Sequence, residues 1–301
     1  MTLMRVNFQR LELQSFPFLP AVLISAVFTG LAQWALPLLG LLSIGMAHGA
    51  VDHEWDPQAK SSPVKFYANY LLQIALFLLL WHWTPFAALL VFMALSAEHF
   101  GECEFIHEDR RTLRSARLLR CAAWIWGLCA SLFSPLFHWS ETLVILEKMG
   151  FPSGLSIDSP RLWAATLGTC GLIAAGLQSK NRPKAVVRTL ILLLALARLP
   201  LLPGFLCFFV FWHAWDSVTH QMQAKGWSIR QYLKKSIPFT VLAWLGVALL
   251  ASVTLARGER DSLWSILFVS LGALTLSHAQ VMKRFYRTRK SPTRPVDESG
   301  L

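Results

Sequence analysis

The chain has 301 residues, of which 54% are hydrophobic and only 15% are charged. Soluble domains carry about a quarter charged residues, so this composition excludes an ordinary soluble domain. The net charge of +11 would indicate nucleic-acid binding in a soluble protein, but in a membrane protein basic clusters mark cytoplasmic loops. We therefore expect an all-α, polytopic transmembrane helical bundle in the cell (inner) membrane, with the lipid bilayer as a partner and no nucleic acid.

Long apolar runs predict about ten spans, with eight as the lower bound. Because a helix needs about 20 apolar residues to cross the hydrocarbon core, the run over 16–53 is too long for one span, and Trp34–Pro37 is the expected break. Residues 1–282 then form one membrane-embedded domain, followed by a basic tail over 283–301 that we expect to be disordered and cytoplasmic. The expected spans are 17–34, 36–53, 66–83, 85–101, 118–137, 161–178, 185–200, 203–218, 238–256 and 262–282.

Basic residues cluster after the even-numbered spans, whereas the segments between are short and nearly neutral or weakly acidic. By the positive-inside rule, this pattern places both termini in the cytoplasm. The clusters are Arg110, Arg111, Arg114, Arg117 and Arg120 after the fourth span, Lys180, Arg182, Lys184 and Arg188 after the sixth, and Lys225, Arg230, Lys234 and Lys235 after the eighth.

Four histidines fall at a common depth in this topology. His48, His99, His213 and His278 lie at or near the ends of spans that run toward the cytoplasm. Ionisable side chains within spans are costly, and they usually face a bundle interior, a cavity or a partner. A single interfacial histidine is more often a hydrogen-bonded packing residue than a ligand. Four imidazoles at one level could instead converge on one metal ion, and imidazole suits Fe, Zn, Cu or Ni.

The stretch "GMAHGAVDHEW" contains a carboxylate, that of Asp52, close to His48 along the chain. His48 and Asp52 are four residues apart, so they share a face if the helix continues. Asp52 could ligate a metal, or it could orient the second nitrogen of a nearby ligand histidine. The alternative is an aspartate that caps the helix end or meets a basic loop. His53 points about 140° away from His48 on a helix, and it is a further candidate ligand.

Polar residues also flank the other two motif histidines. In "SAEHFGECEF", Glu98 and Glu102 lie close enough along the chain to His99 to support a ligand, whereas Glu104 is expected to meet the arginines of its loop. In "FWHAWDSVTH", Ser217 and His220 could line one helical face with His213. The aromatic residues around these motifs are typical of lipid-facing packing, but they could also line a channel for a long apolar substrate. The channel candidates are Trp212, Trp215, Phe209 and Phe100.

These motifs, in this order, resemble those of the bacteriorhodopsin-related protein (Brp/Blh) family of membrane-bound β-carotene 15,15'-dioxygenases. "GMAHGAVDH" looks like the family's G-x-P-H-G-A-x-D motif, "SAEHFG" its S-x-x-H-F-G, "FWHAWDS" its W-H-S-x-R-H region, and "TLSHAQVM" its T-x-P-H motif. The resemblance spans about residues 36–282. It implies an enzyme that uses Fe(2+) and O2 to split the central double bond of β-carotene into two molecules of retinal.

The resemblance also implies a ligand set, in which His48, His99 and His213 carry over as iron ligands. The family's fourth histidine position is Ser217 in this chain, and the arginine before it is Asp216. The prolines of the first and last motifs are replaced by Ala47 and Ser277. The open alternatives for the fourth ligand are His220, His53, His278, Asp216, a water beside three histidines, or a diverged site.

Three functions remain compatible with the sequence. The first is a carotene-cleaving iron dioxygenase, or a relative that acts on another isoprenoid or lipid. The second is a different membrane metalloenzyme, such as a desaturase or hydroxylase, although the paired HxxHH-type histidines of that chemistry are absent. The third is a metal-free transporter or carotenoid-binding protein. Asp52, Glu98, Glu102, Asp216 and Ser217 are the expected supporting residues around the metal.

Overall fold

The protein is described by a computed structural model that covers residues 17–28, 30–105, 113–178, 182–258 and 263–289, with backbone alone for 113–115, 263–264 and 286–289. Over these residues the structure is helical and contains no strand, which confirms the all-α prediction. The α-helices are α1 (Phe18–Val27), α2 (Leu31–Gly40), α3 (Pro57–Ser61), α4 (Pro63–Trp83), α5 (Pro85–Glu104), α6 (Leu113–Phe137), α7 (Trp139–Lys148), α8 (Pro160–Gly176), α9 (Arg182–Arg198), α10 (Leu201–Cys207), α11 (Trp215–Lys225), α12 (Ile229–Ala256) and α13 (Leu263–Arg289).

Six helical stretches among the described residues are long and apolar enough to cross a membrane, so the membrane character of the bundle is confirmed. The four other expected spans correspond to the shorter helices α1, α2, α8 and α9, and the higher count of eight to ten stays a prediction. The six stretches are Pro63–Trp83, Pro85–Glu104, Ala116–Phe137, Leu201–Lys225, Ile229–Ala256 and Ser265–Phe285.

The outward surface of the bundle is apolar. On α12, Leu242, Leu245 and Leu249 each expose more than 60% of their surface. Soluble proteins rarely expose contiguous apolar patches of this kind. Leucine side chains on the outside of a helical bundle are suited to contact with lipid tails.

The expected break at Trp34–Pro37 is wrong. The chain breaks between Val27 and Leu31 instead, at Gly30, whose φ of +62° is a conformation that glycine adopts without steric cost. Pro37 lies inside α2. The helix tolerates the loss of the backbone hydrogen bond that this proline cannot donate, and it continues into a π-helical segment over Leu41–Gly45.

Two other expected boundaries also move. Helical structure after the π segment ends at Ala47, and a turn leads into a 3-10 helix over Asp52–Glu54. The second expected span therefore does not reach residue 53. At the other end, α13 continues to Arg289, so the first residues of the expected tail are helical. Residues 290–301, the basic N-terminal residues, and the loop arginines Arg110 and Arg111 lie outside the described residues.

Helices α5 and α6 approach each other more closely than side chains would allow. A Cβ atom on Gly101 would lie 1.9 Å from the carbonyl oxygen of Ala123, and one on Gly127 would lie 1.8 Å from that of Ala97. Small residues at such crossings are typical of helix pairs in membranes, where association depends on close backbone packing. This crossing fixes the position of the end of α5, which carries His99.

Candidate metal centre

Four buried histidine rings meet at one end of the bundle. They come from four separate elements. His48 begins the turn that follows the first π-helical segment, and His99 lies on α5. His213 lies in a second π-helical segment over Phe208–Ala214, and His278 lies on α13. None of the four exposes more than 7% of its surface. Ring centroids are 4.8 Å apart for His48–His278, 4.9 Å for His99–His278, 4.8 Å for His99–His213 and 5.3 Å for His48–His213. The four histidines that the topology places at a common depth therefore lie together in one cluster.

Three of these rings are placed to share a metal ion. One nitrogen each from His48, His99 and His213 lies within 4.8 Å of the other two, and the Nε2 atoms of His99 and His213 are 3.1 Å apart. Metal–nitrogen bonds of about 2.1 Å in tetrahedral or octahedral geometry hold neighbouring nitrogens roughly 3.0–3.4 Å apart. The His99–His213 pair already has this spacing, and His48 needs only a small closing movement.

The backbone fixes which nitrogen of His48 is available. Its Nδ1 lies 2.5 Å from the carbonyl oxygen of Gly45. Since a carbonyl oxygen only accepts hydrogen bonds, Nδ1 carries the proton and donates it. The Nε2 atom of His48 is then left with a free lone pair. An N–H that donates to a backbone carbonyl in this way is the usual means by which proteins orient a metal-ligating histidine.

His278 has a matching arrangement with a carboxylate. Its Nδ1 lies 2.8 Å from Oδ1 of Asp52, and Asp52 is 3% exposed. Its Nε2 is buried and has no hydrogen-bond partner within the part of the chain that the structure describes. A buried polar atom without a partner is costly unless something satisfies it. The residues present therefore suit a metal ion held by imidazole nitrogens.

The two π-helical segments bring His48 and His213 together. A Cβ atom on Gly45, the last residue of the first segment, would lie 3.3 Å from Cε1 of Phe209, so the first segment packs directly against the second. A π-helical turn inserts an extra residue and redirects the side chains that follow, and such turns are frequent at functional sites. No sequence period reports a π-helical turn, which is why the sequence did not predict either one.

Ser217, which the motif resemblance aligns with a fourth histidine, contacts, through Gln221, the chain that carries His48. It accepts a hydrogen bond from Nε2 of Gln221 at 3.1 Å, and the same nitrogen donates to the backbone oxygen of His48 at 3.0 Å. The hydroxyl of Tyr232 donates to the backbone oxygen of Ala47 at 2.8 Å. Ser217 thus helps to hold the chain that carries His48. Sequence reasoning missed Gln221 and Tyr232, because their partners lie far away along the chain.

His53 and His220, two of the candidate ligands, lie away from the four-ring cluster. The His53 ring packs against Phe239 with a centroid distance of 4.5 Å, and burial lowers the pKa of its imidazole below the usual value. The His220 ring lies beside Phe285 at 6.4 Å. The expectation that His48 and Asp52 share a helix face is also wrong, because the chain turns between them.

The other expected supporting residues make contacts on the rim. Glu98 pairs with Lys283, and Glu102 is half-buried on α5. Asp216 accepts from Arg188 at 3.2 Å. Arg188 was counted as a loop charge, but it lies within α9, where it contacts the acidic side chains of two other helices.

Glu104 does not meet the arginines of its own loop among the described residues. Its Oε2 lies 3.9 Å from Arg188 and accepts a hydrogen bond from Nε1 of Trp212 at 3.3 Å. The Arg188 guanidinium lies over the Trp212 ring at 4.6 Å. Trp212 therefore belongs to this ionic cluster, and Trp215 is half-buried.

Two of the expected channel residues border the histidines directly. The Phe100 ring lies 4.7 Å from that of His213. The Phe209 ring lies 5.5 Å from His48 and 5.9 Å from His213. Phe209 also stacks on Phe205 at 6.0 Å, which continues the aromatic surface away from the histidines.

Ion pairs surround the same end of the bundle. Glu54 pairs with Lys235, and Arg284 donates to Asp56 at 2.8 Å. Lys225 donates to the backbone oxygen of Glu54 at 2.8 Å. These pairs tie the segment after His48 to α11, α12 and α13, and they indicate that this end of the bundle lies near the membrane boundary.

Comparison with known proteins gives one result. The family model described as beta-carotene 15,15'-dioxygenase matches residues 39–286, a range that includes all four clustered histidines. No curated protein and no solved structure matches the chain.

Proposed function

Because the chain belongs to the beta-carotene 15,15'-dioxygenase family, we propose that it is an iron-dependent membrane enzyme that splits the central double bond of β-carotene, or of a related carotenoid, with O2 to give retinal. The observation that carries the proposal is the cluster of His48, His99 and His213, whose ligand nitrogens lie within 4.8 Å of one another. The cluster is buried and bordered by aromatic rings, as a site for a polyene requires.

The histidines would hold Fe(2+), which when bound supplies the activation of O2 that cleavage of an unactivated double bond needs. The protein's own part is to orient ligands and exclude water. The Gly45 carbonyl keeps His48 in the tautomer with Nε2 free. The helix crossing at Gly101 fixes the height of His99, and Gln221 holds the backbone of His48.

The surroundings of the cluster support a carotenoid as the substrate. Phe100 and Phe209 offer ring faces next to the histidines, and aromatic rings suit the flat, apolar chain of a carotenoid. A carotenoid dissolves in the bilayer, so a helical bundle in the membrane can receive it from the side. The reaction is balanced without a reductant, since each atom of O2 ends in one of the two aldehydes as the central C=C bond is broken.

The topology is part of the same proposal. Eight to ten spans and cytoplasmic termini would place the histidine cluster near the cytoplasmic boundary of the inner membrane. The ion pairs around Glu54, Asp56 and Glu98 support this placement, because they collect charged side chains at that end of the bundle.

The test uses cells that make β-carotene. Wild-type protein should convert the pigment to retinal and should contain iron after purification. His99→Ala should lose both, because it removes the nitrogen that lies 3.1 Å from His213 Nε2. His82→Ala is the matched control, since His82 is an exposed histidine near the C-terminal end of α4. This variant should behave as the wild type.

Each other outcome identifies a different function. A full retinal yield from His99→Ala would contradict the proposal. Iron without retinal from the wild type would favour another isoprenoid or lipid as substrate. A bound carotenoid without any metal would favour a binding or transport protein.

A further inference from the structure

We propose that His278 supplies the fourth metal ligand of this chain and that Asp52 fixes its orientation, so that the ligand comes from α13 rather than from the α11 position occupied by Ser217. The inference rests on the proposed function, since it assumes that the histidine cluster holds a metal ion.

The first observation is the position of the His278 ring. Its centroid is 4.8 Å from that of His48 and 4.9 Å from that of His99, with interplanar angles of 81° and 80°. These separations agree within 0.1 Å with the 4.8 Å between His99 and His213, which face each other through their Nε2 atoms. By ring spacing the His278 ring therefore lies in the same cluster, although the group whose ligand nitrogens all lie within 4.8 Å of one another is His48, His99 and His213, so His278 would have to close in to bind the same ion.

The second observation is the hydrogen bonding of the two His278 ring nitrogens. An ionised carboxylate only accepts, so Nδ1 carries the proton that is donated to Asp52 Oδ1 at 2.8 Å. The Nε2 atom, buried and without a hydrogen-bond partner among the described residues, then has a free lone pair or a proton with nothing to accept it. A metal ion held in the cluster would satisfy this nitrogen, whereas a proton there would stay unpaired.

Asp52 is itself held in place. Its second oxygen, Oδ2, accepts a hydrogen bond from the Tyr70 hydroxyl at 3.1 Å. On the neighbouring residue of α13, Ser277 Oγ donates to the backbone oxygen of Tyr70 at 3.2 Å. The carboxylate therefore uses both oxygens in fixed contacts. A chain from carboxylate to histidine to metal is the usual way in which proteins orient a ligand and raise its basicity.

The remaining candidates for the fourth ligand are engaged elsewhere. The Ser217 hydroxyl accepts from Gln221, and the Asp216 carboxylate accepts from Arg188. His53 packs on Phe239, and His220 lies beside Phe285. Gly49 lies beside the proposed ligand, since a Cβ atom at that position would be in ordinary van der Waals contact with Nδ1 of His278, at 3.5 Å.

The experiment measures the metal site directly rather than the activity. Purified protein in detergent is stripped with a chelator and titrated with Co(2+), and X-ray absorption at the metal edge then counts the imidazole ligands. Wild type should show four imidazoles, and His278→Ala should show three. Its dissociation constant for Co(2+) should rise about a hundredfold or more, since even the loss of a partner that orients a ligand costs 10–100-fold in affinity.

One further variant keeps the inference falsifiable if His278→Ala does not fold, and another serves as the control. Asp52→Asn retains an oxygen that can accept from Nδ1 but removes the charge, and it should raise the dissociation constant about 10–100-fold while four imidazoles remain. His220→Ala should match the wild type. An unchanged affinity and imidazole count in His278→Ala, or an unchanged affinity in Asp52→Asn, would overturn the inference.

The outcomes also separate this inference from the proposed function. If the wild type binds iron and forms retinal while His278→Ala keeps the same imidazole count, only the fourth-ligand assignment fails. If the wild type binds no metal at all, the proposed function fails, and the assignment fails with it.

Discussion

Gly101→Ala is the substitution whose effect the structure defines most sharply. The new Cβ atom would lie 1.9 Å from the carbonyl oxygen of Ala123 and 2.6 Å from its carbonyl carbon. Ordinary van der Waals contact begins at 3.4 Å. Since the obstacle is backbone rather than the end of a flexible side chain, helices α5 and α6 must move apart by about 1.5 Å to accommodate one methyl group.

This movement reaches the histidine cluster, because His99 lies two residues before Gly101 on α5. Overpacking of this kind costs about 1–3 kcal/mol of stability. Ligands must be held within about 0.5 Å of their productive positions, and a 1 Å misplacement can lower a rate about a hundredfold. We therefore expect Gly101→Ala to lower the melting temperature, to reduce the metal content and to lower the yield of retinal about a hundredfold.

The assay combines thermal unfolding in detergent with metal analysis and retinal yield in carotene-producing cells. Gly246→Ala on α12 is the matched control, since its Cβ atom would meet nothing within 4 Å and alanine favours a helix over glycine. It should be neutral or slightly stabilising. If Gly101→Ala unfolds at the same temperature as Gly246→Ala and keeps its metal, the close helix crossing does not position His99 as described.

Two further predictions concern the ionic cluster and the topology. Arg188→Ala leaves Glu104 and Asp216 without the guanidinium that they share. It should lower the free energy of unfolding by about 1–3 kcal/mol, between the values of exposed and buried pairs. A loss no larger than that of Arg182→Ala, at an exposed position on the same helix, would refute this. A phosphatase reporter, active only outside the cytoplasm, should be inactive when fused after Lys225 and active when fused after Arg257. The reverse pattern would contradict cytoplasmic termini.

The helical bundle could be predicted from the sequence because apolar runs report membrane spans directly. The expectation that His48, His99, His213 and His278 lie at a common depth followed from the same runs, and the structure brings the four rings together, with neighbouring centroids 4.8–5.3 Å apart. The break in the first long run could not be placed in this way. Pro37 is the stronger helix breaker by composition, but Gly30 with its positive φ is where the chain turns.

The parts of the site that the sequence did not predict depend on long-range contacts. The spacing of four residues predicts that Asp52 and His48 share one helix face. The chain turns after Ala47, however, and Asp52 contacts His278, which lies 226 residues further along the chain. Ser217 looked like a missing ligand, and it is engaged with Gln221. Sequence spacing describes neighbours within one helix, as Ser217 and Gln221 are on α11. It does not report the contact of Asp52 with His278, or the hydrogen bond from Gln221 to the backbone of His48.

The most direct measurement of the central claim is the fate of isotopically labelled O2. Purified iron-loaded protein is given β-carotene under labelled O2, and the product is reduced at once, before its aldehyde oxygen can exchange with water. We predict two molecules of retinal for each β-carotene consumed, both labelled by O2, and none from His99→Ala. Loss of β-carotene without retinal, or retinal whose oxygen comes from water in either half, would contradict a dioxygenase built on this histidine cluster.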